Sequence, residues 1–259
     1  MESGQALGGV SDLLVVADRA ALAQEAAKRV VAITEEAVAR CGRFTVALAG
    51  GSTPMLLYSL LAAEPYCTRL PWRETHVFWG DERAVPPTHP DSNFGIAKAT
   101  LLSRVPVPAD HVHRMQAERA DLDAAASEYE AEIARTFTAQ PADEPPAFDL
   151  ILLGLGTDGH TASLFPYTQA LRETTRWVAP NYISRLKANR LTLTTPLLNR
   201  AATILFLVSG TDKASALQAV LEGPPDPEQL PAQLIRPVAG RLVWLVDQAA
   251  ASRLSEKAP

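Results

Sequence analysis

The sequence predicts an α/β protein: a mainly parallel sheet with helices on both faces. Three observations carry that prediction. Strand-like and helix-like segments alternate along the 259 residues. Segments such as Ile151–Leu153 and Ile204–Val208 are apolar throughout instead of alternating, which marks strands buried on both faces. Strand, glycine turn and helix start also follow one another at Phe44–Ala63 and again at Thr203–Leu221.

The elements read as follows. Leu13–Ala17 is a first strand, and Asp18 is placed to cap a long helix, Arg19 to Arg40, with Val30, Ile33, Ala37 and Val38 on one face. Phe44–Ala49 is a strand, followed by Gly-Gly-Ser-Thr-Pro and a helix over Met55–Ala63. Thr75–Trp79 is a strand. Asp91-Ser-Asn begins a helix through Leu102, and Leu122–Phe137 is helical. Gln140–Ala147, with three prolines, is a surface loop before the strand in Phe148–Leu153. Later strands are Trp177–Ala179, Arg190–Thr194, Thr203–Ser209 and Arg241–Val246. Thr211–Leu221 is a helix, and Gly223–Pro231, with four prolines, is a loop. No repeat or clear linker divides the chain, so residues 1–259 read as a single domain, with a small subdomain over 105–145 as the alternative.

Composition bounds the function. Hydrophobic residues make up 47% of the chain, ample for a core, and 24 basic against 29 acidic residues leave a net charge of −5. No basic patch of nucleic-acid type is visible. No apolar run reaches the ~18 residues of a membrane span, and Met1 to Gly9 lacks the pattern of a signal peptide. Cys41 and Cys67 fit no metal or redox spacing and read as free thiols of a reducing cytoplasm.

The most informative stretch runs from Phe148 to Pro166, where an apolar strand ends in Gly154-Leu-Gly-Thr-Asp-Gly-His160. Gly154, Gly156 and Gly159 satisfy the G-x-G-x-x-G dinucleotide fingerprint. However, Asp158 inside the loop would oppose a diphosphate, and Thr175–Asn189 contains no Asp or Glu to hold a ribose. The alternatives are a turn that exposes Asp158 and His160 to a substrate, or a capped turn with an incidental histidine. His is the side chain best suited to proton transfer near neutral pH.

Three further strand ends offer charge or backbone donors. Gly50-Gly51-Ser52-Thr53-Pro54 suits either a single-phosphate cradle or an ordinary turn capped by Ser52 or Thr53. It lacks the Gly-Lys-Ser/Thr ending of a nucleotide loop. Trp79-Gly-Asp81-Glu-Arg83 is a solvated turn or a site. In Ser209-Gly-Thr-Asp-Lys213, a lysine near a helix start is unfavourable unless an anion sits there. Arg190, which begins its strand, is a weaker candidate. C-terminal ends of parallel strands share one edge of the sheet. A cradle, a cation and an Asp/His pair there imply a phosphorylated small molecule and acid–base chemistry without a metal or cofactor.

These blocks resemble the 6-phosphogluconolactonases. Gly-Gly-Ser-Thr-Pro, Trp-Gly-Asp-Glu-Arg, Asp91-Ser-Asn93 and Gly-Leu-Gly-Thr-Asp-Gly-His-Thr-Ala-Ser-Leu-Phe-Pro occur in that family's order. Arg190-Leu-Thr-Leu-Thr, Gly210-Thr-Asp-Lys213 and Leu230-Pro-Ala match its later blocks, so the likeness runs from about Leu13 to Val246. The resemblance implies a Rossmann-like fold shared with glucosamine-6-phosphate deaminases. It also implies hydrolysis of 6-phospho-D-glucono-1,5-lactone to 6-phosphogluconate in the oxidative pentose phosphate pathway. In the deaminases a Glu stands five residues after the His and assists ring opening; here that position is Phe165, and no carboxylate lies between Asp158 and Glu173. One departure from the lactonase pattern is Lys187-Ala-Asn-Arg190, where the family often has prolines.

The expected roles are then as follows. His160 is the general base, and Asp158 orients the site or binds sugar hydroxyls. Arg83 stabilises the oxyanion or binds phosphate, and Asp81 orients Arg83 or a substrate hydroxyl. Gly51, Ser52, Thr53, Arg190 and Lys213 hold the 6-phosphate. Water attack is preferred over a covalent route through Ser163, which lacks the Gly-x-Ser-x-Gly turn. The expected partner is a phosphosugar lactone, with no nucleic acid, membrane, metal or cofactor, in a cytoplasmic monomer or weak dimer. The alternatives are a deaminase-like enzyme and a non-catalytic phosphosugar sensor. Against the sensor stand the negative charge and the expected lack of a DNA-binding segment before residue 13.

Overall fold

The chain alternates strands and helices in the order expected. The computed structural model describes residues 11–138 and 144–255. Positions 1–9 and residues 140–143 of the expected proline-rich loop lie outside the described residues. The strands are β1 (Ser11–Val16), β2 (Phe44–Leu48), β3 (Thr75–Trp79), β4 (Asp81–Arg83), β5 (Leu150–Leu153), β6 (Val178–Ile183), β7 (Ala188–Leu193), β8 (Thr203–Val208) and β9 (Arg241–Asp247). The α-helices are α1 (Arg19–Cys41), α2 (Ser52–Leu61), α3 (Tyr66–Arg69), α4 (Asn93–Ala97), α5 (Leu122–Phe137), α6 (Thr195–Leu198) and α7 (Ala214–Glu222).

Six strands form one sheet in the order β1-β9-β8-β5-β2-β3, and every pairing in it is parallel. Its apolar strands send alternate side chains to opposite faces, and both faces are covered. Ala47, Phe78, Ile151, Leu153, Phe206 and Trp244 face one core, which includes Ala126, Tyr129 and Ile133 of α5 and Leu217 of α7. Val46, Leu48, Val77, Leu152, Leu205 and Leu245 face the other, with Leu22, Ala26 and Val30 of α1 and Leu57 and Leu61 of α2. Truncating one such buried Leu costs typically ~2–5 kcal/mol.

Helix starts follow local chemistry. The Asp18 carboxylate accepts the Ala21 N–H at 2.8 Å to cap α1, and Asp121 does the same for Ala124 at 2.9 Å to cap α5. The expected cap at Ser52 or Thr53 does not form. Helix α2 begins at Ser52 itself, and its N-cap is Gly51 at φ +98°, with no side-chain hydrogen bond. Glycine adopts that backbone without the Cβ clash that would strain serine.

Two segments depart from the expected single sheet. Asp81–Arg83 is a short strand instead of a turn. It pairs antiparallel with β7, which pairs antiparallel with β6, to give a second, three-stranded sheet in the order β4-β7-β6. The segments read as Trp177–Ala179 and Arg190–Thr194 belong to this small sheet. Arg190 therefore sits inside β7 and directly opposite Arg83, not at a strand start.

The topology fixes where a ligand can sit. From β2 the chain passes through α2 to β3 on one side, whereas β5, the other neighbour of β2, pairs onward with β8. The connections run opposite ways from β2 and β5, which opens a crevice at their C-terminal ends.

Candidate active site

Buried hydroxyls and a buried carboxylate hold the strand ends around this crevice. The Tyr58 hydroxyl accepts the Ala49 N–H at 3.0 Å and donates to the Ala49 carbonyl at 2.6 Å, fixing the end of β2. The Tyr129 hydroxyl accepts the Trp79 N–H at 2.9 Å at the end of β3. Burial pushes both phenols up from their ordinary range, so they stay neutral. Asp247, which is 4% exposed, accepts from the Ser209 hydroxyl at 2.5 Å and the Gly210 N–H at 3.1 Å, fixing the loop after β8.

Between these ends lies a cavity of about 190 Å³. It is lined by Gly50–Gly51, Asp81, Arg83, Gly154–Gly156, His160 and Lys213 among others. That volume suits a small metabolite and lies below the ~300–1,000 Å³ of drug-sized sites. Three larger cavities, of about 720, 600 and 420 Å³, flank α5, the 165–168 turn and α1. None has His160 among its lining residues, although the second reaches Asp158, so size does not locate the chemistry here.

The turn after β5 is built around His160. Its Nδ1 meets the Asp158 carboxylate, and its backbone carbonyl accepts the Gly156 N–H at 2.8 Å. A Cβ on Gly156 would stand 1.9 Å from the His160 Nδ1, and Gly159 adopts φ +80°. Two glycines of the dinucleotide-like pattern thus serve to fold the loop against an imidazole. Burial disfavours charge on Asp158, but the His160 hydrogen bond, the His160 charge and the Arg185 charge outweigh it. Together they hold its pKa at about 2. An ionised carboxylate only accepts hydrogen bonds. Nδ1 therefore carries a hydrogen, and in the neutral imidazole the lone pair lies on Nε2.

The period-2 geometry of β4 divides its three charges. Asp81 and Arg83 line the cavity. Glu82 turns away and is 3% exposed; it accepts the N–H groups of Asn93 and Phe94, both at 2.8 Å, at the start of α4. Burial raises the Glu82 pKa, opposed by these backbone bonds. Of the two expected partners of Asp81, Arg83 or a substrate hydroxyl, Arg83 is not one it contacts. Its carboxylate accepts from the Ser163 hydroxyl at 2.6 Å and from Asn93 Nδ2 at 3.1 Å, while Arg83 donates to the Asp91 carbonyl at 2.5 Å. The Ser163 hydroxyl is 1% exposed and committed to a carboxylate, so it is not placed as a nucleophile beside an imidazole.

Arg83 and Arg190 face each other across the small sheet. Like charges in that relation repel, and burial followed by Arg83 repulsion lowers the Arg190 pKa. An anion would relieve this pair. Lys213 and Gly51 line the cavity, whereas Ser52 is exposed and none of Ser52, Thr53 and Arg190 is among its lining residues.

Sequence reasoning missed Arg185, which pairs with the Asp158 carboxylate from the tip of the β6–β7 hairpin. It also missed Asn93 as a partner of Asp81. The cations at 185, 187 and 190 were the available signal for the hairpin, but its folding back toward Asp158 depends on antiparallel pairing far along the chain. Among the described residues, no group of three or more His, Cys, Asp or Glu is arranged to hold a metal ion.

Comparison with known proteins identifies the family. The family described as glucosamine-6-phosphate isomerases/6-phosphogluconolactonase matches residues 17–244. A 6-phosphogluconolactonase of Synechocystis is 47% identical over 219 residues, covering 85% of this chain and 88% of that protein. One of Nostoc is 40% identical over 242 residues, covering 93% and 97%. A solved 6-phosphogluconolactonase from Trypanosoma cruzi superposes with a TM-score of 0.84 at 30% identity, covering 97% of this chain and all of that one. The chain therefore belongs to the glucosamine-6-phosphate isomerase/6-phosphogluconolactonase family.

Proposed function

We propose that this protein hydrolyses 6-phospho-D-glucono-1,5-lactone to 6-phospho-D-gluconate, a step of the oxidative pentose phosphate pathway. One observation carries the reading most directly. An imidazole held by a carboxylate lines the same cavity as Arg83 and Lys213. The position that would carry the ring-opening Glu of a deaminase is Phe165, stacked on that imidazole.

In this reading His160 Nε2 takes a proton from water as it attacks the lactone carbonyl, then returns it to the departing ring oxygen. Asp158 stabilises the imidazolium formed in between. Arg83 faces the developing oxyanion, where a preorganised cation lowers the barrier. Asp81, held by Ser163 and Asn93, accepts from a sugar hydroxyl. Arg190, Lys213 and the Gly50–Gly51 backbone hold the 6-phosphate and fix the lactone by binding energy remote from the reacting carbon. Ser52 and Thr53 contribute only if the α2 start moves toward the ligand.

Cys41 and Cys67 are free thiols, which fits a reducing cytoplasm. No described helix is long and apolar enough to cross a membrane. We assign the protein to the cytoplasm as a monomer or weak dimer acting on a small phosphosugar lactone, as one domain. The test offers the protein two substrates in parallel. Acid release from fresh 6-phosphogluconolactone, above the spontaneous rate without protein, supports the reading. Ammonia from glucosamine 6-phosphate without acceleration of the lactone overturns it.

A further inference from the structure

His160 is held by more than its hydrogen bond. The ring of Phe165 stacks on the imidazole with centroids 3.9 Å apart and planes inclined by 19°. Arg185 lies over the same phenyl ring, its guanidinium carbon 5.1 Å from the centroid. One guanidinium nitrogen of Arg185 pairs with Oδ2 of Asp158, whose Oδ1 meets His160 Nδ1. Asp158, His160, Phe165 and Arg185 thus form a closed ring of four contacts.

A single hydrogen bond at Nδ1 leaves the imidazole free to tilt about that bond. A stacked ring against its face removes this freedom, because an edge contact and a face contact together define a plane. Phe165 is 5% exposed, so the stack is shielded from water. Asp158 has the same need, since a carboxylate with one partner can rotate away from it. Arg185 occupies the second oxygen. Its side chain is 54% exposed, and its contacts to Asp158 and Phe165 hold it there.

We propose that Phe165 and Arg185 are positioning residues for the general base. Phe165 sets the tilt of the His160 ring, and Arg185 holds Asp158 in the orientation that accepts from Nδ1. This rests on the lactonase reading above. The consequence is geometric and electrostatic. A misaligned base loses rate steeply, with ~10²-fold for a 1 Å error. Losing the Arg185 charge leaves Asp158 uncompensated beside the imidazole, which then binds its proton more tightly.

The test uses the whole protein with Phe165→Leu, Phe165→Tyr, Arg185→Gln and Arg185→Lys. Long-range proton–nitrogen NMR of the imidazoles near pH 8, without substrate, reports the His160 tautomer, with its signal identified by its loss in His160→Asn. The proposal expects one Nδ1–H tautomer in the wild type and a mixture in Phe165→Leu and Arg185→Gln. Phe165→Tyr and Arg185→Lys restore the single form. In lactone turnover, Phe165→Leu lowers kcat about tenfold with KM changed less than about twofold, and Phe165→Tyr recovers most of the loss. Arg185→Gln moves the acid limb of kcat/KM to higher pH. The proposal is overturned if both variants keep a single tautomer, or if the loss in Arg185→Gln falls wholly on KM. Should Phe165→Leu fail to fold, the Arg185 arm decides, because that side chain is largely exposed. A wild type that does not turn over the lactone sinks the lactonase reading and leaves the tautomer arm to judge the positioning alone.

Discussion

Asp158 and His160, two residues apart in the turn after β5, are joined from carboxylate Oδ1 to imidazole Nδ1. The Asp158 carboxylate fixes which nitrogen carries hydrogen and which is free to act. Asp158→Asn keeps the shape but offers an amide that satisfies either tautomer. We expect kcat to fall by roughly 10²-fold or more, while KM moves little. Initial rates with fresh lactone over a range of concentration check this, and an unchanged kcat would remove Asp158 from the mechanism.

Lys213 lines the cavity on the side of the β8 loop, and its role in the proposal is to bind the distant phosphate. Lys213→Ala should therefore raise KM, with kcat within a few-fold of the parent. Inorganic phosphate should compete less well against the variant than against the wild type. A loss falling entirely on kcat would place Lys213 at the reacting carbon instead.

Tyr58 satisfies two buried backbone groups of Ala49 with one hydroxyl. Tyr58→Phe leaves both buried groups without that partner, at a cost of about 1–3 kcal/mol. Urea unfolding measures the cost. The same change should raise KM, because Ala49 anchors the Gly50–Gly51 loop. A variant as stable as the parent would mean that the strand end is held by packing alone.

Acid stability has two separable windows. His76 stacks on His111 with centroids 3.8 Å apart and shares a 3.0 Å contact with His113, which in turn contacts Glu132 at 2.6 Å. Burial lowers the His76 pKa to about 4, assisted by His111, His113 and Arg43 and opposed by Asp110. A histidine depressed in the fold is protonated first in the unfolded chain. Its stabilisation is therefore full above about pH 6.5 and lost as pH falls toward 4. Asp158, also depressed, contributes above about pH 4, and that contribution is lost toward pH 2. Screening at these partly exposed groups reduces each contribution to on the order of 1–2 kcal/mol. Stability measured by urea at pH 7, 5 and 3 should fall less between pH 7 and 5 in His76→Gln than in the parent. Parallel curves would discard this account of His76.

Much of this protein was legible as sequence because its main sheet is governed by local pattern. Apolar runs at Ile151–Leu153 and Ile204–Val208 announce strands covered on both faces, and Asp18 announces a helix start. Asp158 and His160 were legible as candidates because both lie in one turn, but their contact was not, since a spacing of two does not say whether the side chains meet. The small antiparallel sheet was not. Pairing Arg83 with Arg190 joins positions far apart in the chain, and no local signal encodes that register. Arg185 follows from it, because the hairpin that carries it is placed by β7. Asp81 was expected to orient Arg83 or a substrate hydroxyl. Alternation puts both residues on one face of β4, but the Asp81 carboxylate is taken up by Ser163 and Asn93, which the fold brings in from the turn after β5 and the start of α4.

The central claim is that an Asp158-held His160 hydrolyses a phosphosugar lactone, and a pH-stat assay on fresh 6-phosphogluconolactone tests it most directly. Wild type should release acid far faster than the uncatalysed opening. His160→Asn should lose roughly 10²–10⁴-fold in kcat while still binding 6-phosphogluconate. A wild-type rate equal to the protein-free control, or a His160→Asn variant as fast as its parent, would contradict it.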